Sequence, residues 1–181
     1  MGMALVTAPR YTVDDLDGFP DDGNRYELLG GVLLVTPFPE PVHQIVSGRI
    51  ACTLANAIGG EAHVVGPGAI SVPPRTQLQP DILVYPSRFS HETDWVKVSE
   101  HWLAVELLSR SSRISDREFK RDAYFALGVS EVWLVDIADH SVEVCRRRAA
   151  GETVRDVMAW RVPTLDLIVP IPLAGVFAGI E

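Results

Sequence analysis

The chain has 181 residues, 47% of them hydrophobic, which is enough to bury the single sizeable core expected of one domain spanning residues 1–181. Its formal net charge of -8 excludes a protein that coats nucleic acid through bulk electrostatic attraction, although it leaves room for a local basic site. Cys52 and Cys145 form no CxxC motif, so no thiolate zinc site is expected and a cytoplasmic location is predicted. Prolines and Asp166 interrupt the apolar C-terminal tail, so no membrane span is expected.

The N-terminal third of the chain predicts a short surface helix, a hairpin and a long helix. Two strand-like runs, 25–29 and 32–36, flank Gly30-Gly31, a dipeptide that accepts the positive φ angles of a tight turn. Over residues 43–58 apolar side chains recur at every fourth position. This period predicts a helix with one buried stripe.

The remainder of the chain predicts mainly strands. Residues 87–100 are polar and aperiodic and indicate a loop that holds one helical turn, whereas residues 115–127 have a helical pattern closed by Gly128. The order of elements predicts an α/β fold, an α+β mixed sheet flanked by helices, with a strand-rich C-terminal extension. Strand-like runs occupy residues 63–65, 69–72, 79–85, 102–108, 131–136, 141–147, 154–160 and 165–169.

One carboxylate, Glu106, lies in the middle of the apolar strand 102–108. Alternation along the strand places it on the same face as Ala104 and Leu108. Burying an ionised carboxylate costs several kcal/mol unless a cation or hydrogen bonds compensate it. Glu106 therefore needs a partner, and an arginine such as Arg110 or Arg113 would supply an ordinary structural ion pair.

A second carboxylate, Asp81, enters the neighbouring apolar strand directly after Pro80. If the two strands pair as a hairpin, Asp81 and Glu106 approach each other, and two close carboxylates repel unless a cation lies between them. An all-oxygen pair suits a hard ion such as Mg²⁺, with Mn²⁺ as a substitute, and such an ion could activate water for phosphoryl transfer. The alternative for Asp81 is a simple cap at the start of a strand.

Lys120 shares one face of the predicted helix 115–127 with Tyr124, so its ammonium can point back towards Glu106. There it could orient the attacking water or stabilise the pentavalent phosphate. The alternative is a solvated surface lysine. Positive charge is concentrated in the same region, and its candidate nucleic-acid contacts are Arg110, Arg113 and Arg117; the alternative for these arginines is an ordinary solvated helix face.

Two further residues are candidates for the same site. Glu27, in the first hairpin, is either an accessory ligand or a cross-strand partner. His43, at the start of the helix 43–58, either reaches the site or packs beside the core. The serines that follow Glu106 are interpreted as turn and capping groups, because no histidine base lies near them in sequence.

Several of these features occur in a fixed order over residues 11–147. They are RYELLGG at 25–31, a helix started by His43, QPDILV at 79–84, VELLSRSSR at 105–113, Lys120, Tyr124, and GVSEVWLVD at 128–136. The ordered set resembles the Uma family of restriction-like endonucleases, within the PD-(D/E)XK nuclease superfamily. The resemblance implies a restriction-endonuclease-like fold, with Asp81 and Glu106 as metal ligands.

One departure from the superfamily pattern concerns the lysine. The pattern puts a lysine two residues after the glutamate, and this chain has Leu108 there. The resemblance therefore implies that Lys120 takes this role from the helix.

The sequence thus predicts a Mg²⁺-dependent endonuclease that hydrolyses DNA phosphodiester bonds. Two alternatives stay open: a nuclease fold that acts as a binding or regulatory module without turnover, and a metal-dependent hydrolase of small phosphate esters. No recognition helix or zinc module is evident, so the sequence does not distinguish DNA from RNA. Cleavage of both strands of a duplex would favour a homodimer with two sites.

Overall fold

The computed structural model describes residues 10–108 and 114–180, with side chains from residue 118 onward in the second range. The strands are β1 (Arg25–Leu29), β2 (Val32–Thr36), β3 (Ala62–Val65), β4 (Ile70–Val72), β5 (Thr76–Leu78), β6 (Ile82–Pro86), β7 (Leu103–Leu108), β8 (Glu131–Asp136), β9 (Ser141–Arg146), β10 (Glu152–Val154), β11 (Val157–Arg161) and β12 (Ile168–Pro172). The α-helices are α1 (Pro41–Ile58), α2 (Ile114–Ala126) and α3 (Leu173–Val176). Short 3₁₀ helices lie at Val13–Gly18, Gly59–Glu61, Ser87–Phe89 and Trp95–Lys97.

The largest sheet has six strands in the order β10-β9-β8-β7-β6-β3. Strand β7 pairs antiparallel with β6 and parallel with β8, so this sheet is mixed, as predicted. Ile82 lies opposite Val105 in the β6–β7 register, and this register brings Asp81 beside the middle of β7. The predicted pairing of the two strands that carry Asp81 and Glu106 is confirmed.

Strand β7 divides its side chains between two apolar layers. Leu103 and Val105 belong to the layer that contains the buried stripe of α1, whereas Ala104 belongs to the layer that contains Tyr124 of α2. The two helices therefore cover opposite faces of the six-stranded sheet, as expected for strands that are apolar throughout. Because side chains alternate along a strand, Glu106 faces α2.

Helix α1 contains the stripe predicted from the sequence. Its buried apolar residues are Val46, Ile50, Leu54 and Ile58. The helix begins at Pro41, two residues before the predicted start, because the first helical position tolerates proline. Within the part of the chain that the structure describes, no helix is long and apolar enough to cross a membrane.

The first hairpin belongs to a second sheet. Gly30 and Gly31 have φ angles of 60° and 84° in its turn, as the sequence predicts. Strand β1 also pairs with β5, a three-residue strand missed from the sequence, to give the order β2-β1-β5-β4. The expectation of one mixed sheet is thus incomplete, because short strands that pair at long range have too weak a pattern to be recognised.

The C-terminal segment forms a third sheet, of two strands. The predicted strand 154–160 is in fact divided between β10, which extends the six-stranded sheet, and β11, which pairs with β12. Met158 and Trp160 are the buried residues of β11, and they pack into the same layer as α1.

The segment before β4 approaches the start of β6 very closely at Gly66. A Cβ atom at position 66 would lie 2.5 Å from the backbone carbonyl oxygen of Asp81. Real Cβ contacts are never this short, so the position accommodates only glycine without a shift of the backbone.

Candidate active site

A cleft of about 1860 Å³ opens among the first hairpin, the start of α1 and helix α2. Its lining includes Asp81, Glu106 and Lys120, the three predicted catalytic residues, together with His43. Glu27 is 0% exposed and reaches Lys120 from β1. The structure therefore brings all five of these residues into one cluster.

Glu106 is 6% exposed, and both of its described partners donate to the same oxygen. Lys120 Nζ lies 3.2 Å from Glu106 Oε1, and the hydroxyl of the fully buried Tyr124 donates to that oxygen as well. The two donors are one turn apart on α2, so both approach β7 from one face of the helix. Lys120 points towards Glu106, as the helix pattern predicts.

Lys120 joins two carboxylates. Its Nζ atom lies 3.0 Å from Oε2 of Glu27, in addition to its contact with Glu106. The other oxygen of Glu27 accepts the backbone N–H of Gln79 at 2.7 Å. Glu27 faces the apolar Leu34 across the hairpin, so its polar contacts hold Lys120 and the strand entrance instead of forming a cross-strand pair.

Asp81 is held by three donors and is 7% exposed. Arg25 Nη1 lies 2.9 Å from Oδ1, while the backbone N–H of Leu107 and Nε2 of His43 lie 2.8 and 3.2 Å from Oδ2. Burial favours the neutral carboxyl group, but the hydrogen bond from His43 and the charge of Arg25 outweigh it and lower the pKa of Asp81 to about 2. Asp81 is therefore ionised at neutral pH.

The cluster places three carboxyl groups close together. Burial, together with the nearby Asp81 and Glu27, raises the pKa of Glu106 against the opposing effect of Lys120. Burial lowers the pKa of Lys120, but Glu106 and Glu27 outweigh it, so the net shift is upward and the ammonium keeps its proton. Among the described residues, three carboxyl groups share the charges of Arg25 and Lys120.

The sequence predicts no role for two members of the cluster, Arg25 and Tyr124. Arg25 lies two positions before Glu27 on β1, and this spacing, which puts two side chains on one face, was the available signal. The helix pattern places Tyr124 on the face of Lys120, but a tyrosine at a helical core position gives no further indication of a role. Only the tertiary structure shows that its hydroxyl reaches Glu106.

The predicted nucleic-acid contacts are not among the side chains that the structure describes. Arg110 and Arg113 lie outside the described residues, and only the backbone of Arg117 is described. Their contact with phosphate stays a prediction.

The described residues contain no group of three His, Cys, Asp or Glu side chains placed to hold a metal ion by themselves. Mg²⁺, however, usually keeps several waters and is bound through one or two carboxylates and substrate phosphate. Asp81 and Glu106 suit this mode of coordination, in which water and substrate supply the remaining ligands. They do not suit a site in which the protein supplies every ligand. Burial and the nearby Asp81 and Glu27 raise the pKa of Glu106, so an added cation would favour its ionised form.

The mixed sheet, its two covering helices and this cluster define a protein of the restriction-endonuclease-like class. Residues 13–171 match the model of the Uma2 family, described as "Putative restriction endonuclease", and the chain belongs to this family. The family resemblance found in the sequence is thereby confirmed.

The structure is also similar to a crystal structure from Anabaena variabilis, described as a "putative nuclease belonging to DUF820". The TM-score is 0.75 and the sequence identity 17%, over 92% of this chain and 97% of that chain. At this identity the similarity establishes the fold alone. None of the curated proteins matches the chain.

Proposed function

We propose that this chain is a divalent-metal-dependent endonuclease that hydrolyses DNA phosphodiester bonds. One observation carries the proposal: Lys120 contacts two buried carboxylates at the floor of an open cleft, beside a third carboxylate on the paired strand. A structural core has no need of three carboxylates at one place, because each costs free energy to bury. Membership of the family supports hydrolysis as the reaction class.

Asp81 and Glu106 would hold the ion, because they enter the cleft from paired strands and offer hard oxygen ligands. The bound ion would lower the pKa of a coordinated water and offset the charge that develops on the phosphate. Asp81 is suited to this role, since a pKa of about 2 keeps it charged at neutral pH. His43 and the backbone N–H of Leu107 would fix the orientation of its carboxylate.

Lys120 acts in this proposal as a cation and a hydrogen-bond donor. Its raised pKa means that it holds its proton and is not a general base. From its position it could donate to the attacking water or to a non-bridging phosphate oxygen. Glu27 keeps the ammonium in place through the 3.0 Å contact.

A cleavage assay with two isosteric variants tests the proposal. Asp81→Asn and Glu106→Gln keep the size of each side chain, and we expect each to lower cleavage of plasmid and linear DNA by about 100-fold or more in Mg²⁺ or Mn²⁺. Glu152→Gln is the matched control, because Glu152 is 67% exposed and does not line the cleft. Circular dichroism checks that all three variants fold.

Different results would favour the other classes. Full metal-dependent activity in both Asp81→Asn and Glu106→Gln would show that the assigned residues are wrong. Calorimetric titration that finds no affinity for Mn²⁺ at millimolar ion, with and without DNA, would favour a binding or regulatory module. Cleavage of RNA alone, or of a small phosphate ester alone, would change the substrate class.

A further inference from the structure

The described lining of the cleft offers few free cations for a polyanionic substrate. Arg25 and Lys120 are basic groups of this lining, and each already contacts carboxylates. The acidic residues that line the cleft outside the cluster are Asp17, Asp21, Glu40 and Asp136. Among the described lining residues, acidic groups therefore outnumber basic ones, and these residues by themselves attract phosphate only weakly.

The same cleft is lined by four aromatic residues. Phe19 and Tyr26 are stacked on each other, with ring centroids 4.9 Å apart and planes inclined by 16°. Phe38 and Phe119 line the cleft as well, and they are 74% and 51% exposed. Exposed aromatic rings that line a cleft offer flat faces on which a ligand can stack.

Phe119 is adjacent in sequence to the catalytic cluster, and Phe38 lines the same cleft on a restricted backbone. Phe119 directly precedes Lys120 on α2, so its ring and the ammonium come from the same turn of helix. Phe38 lies between Pro37 and Pro39, whose fixed φ angles restrict the backbone that presents the ring. A ring presented in this way loses little conformational entropy when a ligand covers it.

Nucleobases are the part of a nucleic acid that aromatic rings recognise without basic groups. Stacking is tolerant of sequence, because every base has a π face, and it adds affinity that does not depend on charge. In a duplex these faces are covered by the neighbouring base pairs, so a side chain reaches them only where the bases are unpaired.

We propose that Phe38 and Phe119 stack on unpaired nucleobases, so that the preferred substrate is single-stranded or locally unpaired nucleic acid. This inference rests on the proposed nuclease function and specifies its substrate class. The aromatic rings supply the affinity, and the carboxylate and lysine cluster acts on the phosphate beside the stacked base.

Fluorescence anisotropy tests the inference by comparing a labelled single-stranded oligonucleotide with the corresponding duplex. A length of about 16 nucleotides is near the upper limit of the site sizes of single-strand-binding folds. The protein carries Glu106→Gln to prevent cleavage. We expect the single strand to bind about tenfold more tightly, and Phe38→Ala or Phe119→Ala to weaken its binding at least about fivefold. Phe38→Trp should keep full affinity, whereas Phe38→Leu should not, because leucine is apolar but has no π face.

Ile168→Ala is the control variant, since Ile168 is an exposed apolar residue, 49% exposed, that does not line the cleft. Equal affinity for single strand and duplex, or unchanged binding by the phenylalanine variants, would overturn the inference. The inference would also be overturned if size-exclusion chromatography showed that the protein self-associates and that Phe38→Ala dissociates it. The exposed rings of one copy would then be buried against a second copy of the chain.

A parallel cleavage assay with the unmodified chain tests the substrate class separately from the nuclease function. Metal-dependent cleavage of duplex at least as fast as of single strand would overturn the substrate class and leave the nuclease function intact. Failure to bind or to cleave any nucleic acid would overturn both.

Discussion

Lys120 Nζ lies 3.2 Å from Oε1 of Glu106, although the lysine comes from helix α2 and the glutamate from strand β7. The strand itself has Leu108 two residues after the glutamate. A helix that crosses the face of the sheet thus delivers the ammonium that the strand does not supply. The same ammonium contacts Glu27 on β1, so one cation joins three elements of the fold.

Substitution of Lys120 should affect stability and activity together. Lys120→Met leaves Glu27 and Glu106 buried without their shared cation, and we expect a loss of about 3 kcal/mol in the free energy of unfolding, with loss of cleavage. The sequence offers a matched control in its other lysine, Lys97, which is 61% exposed and 3.8 Å from Glu92. Urea denaturation of Lys97→Met should give the free energy of the unmodified chain. Equal stability of both variants would contradict the bridging role of Lys120.

Relative to the unmodified chain, the Glu106→Gln variant should become more stable as pH rises. Thermal unfolding in EDTA measures this difference. The pKa of Glu106 is raised above its ordinary value of 4.5 in the folded state, chiefly by burial. Below pH 4.5 both states of the unmodified chain bind the proton, and above it the unfolded state releases the proton first. Rising pH therefore costs the unmodified chain stability that the glutamine variant keeps. A variant that instead loses stability as pH rises would show that the ion pair outweighs burial.

Loss of the Tyr124 hydroxyl should weaken the support of Glu106 without changing the core volume. Tyr124→Phe removes one buried donor, and we expect about 1–3 kcal/mol of lost stability. Cleavage should fall through kcat, with KM little changed, because the hydroxyl orients a carboxylate and does not touch substrate. Tyr85→Phe is the control, since Tyr85 packs against His63 and Trp95. A KM effect alone would contradict the positioning role.

Arg25→Gln should make the protein more sensitive to acid. Asp81 contributes stability above its ordinary pKa of 3.8, and this contribution is lost as pH falls towards about 2. Without Arg25 the pKa of Asp81 rises, so acid unfolding in EDTA should begin at a higher pH. The readout is the midpoint of an acid titration followed by tryptophan fluorescence. Arg88→Gln, at a position 58% exposed and paired with Glu100, should leave that midpoint unchanged.

The sequence predicts the parts of this fold that depend on local periodicity. The buried stripe of α1, the bounds of β8 and the Gly30-Gly31 turn follow directly from side-chain patterns. Part of the site can also be predicted from the sequence, because a charge within an apolar strand needs a partner and Lys120 lies on the appropriate helix face.

The features that the sequence does not predict arise from contacts between distant segments. Strand β5 has only three residues and is defined by its pairing with β1 and β4. Arg25 acquires its role 56 residues away, at Asp81, and no local pattern encodes that contact. The ionisation of Asp81 and Glu106 likewise depends on burial and on neighbours that only the folded chain brings together.

The close approach of Gly66 to Asp81 affects how sequences of this kind are compared. A side chain at position 66 would have to retreat from 2.5 Å to an ordinary separation of at least 3.4 Å, and the start of β6 would move with it. A related chain could therefore keep Asp81, Glu106 and Lys120 and still lose the distances between these side chains that the proposed site requires. The residue at position 66, which has no functional group, is thus part of the criterion for an intact site.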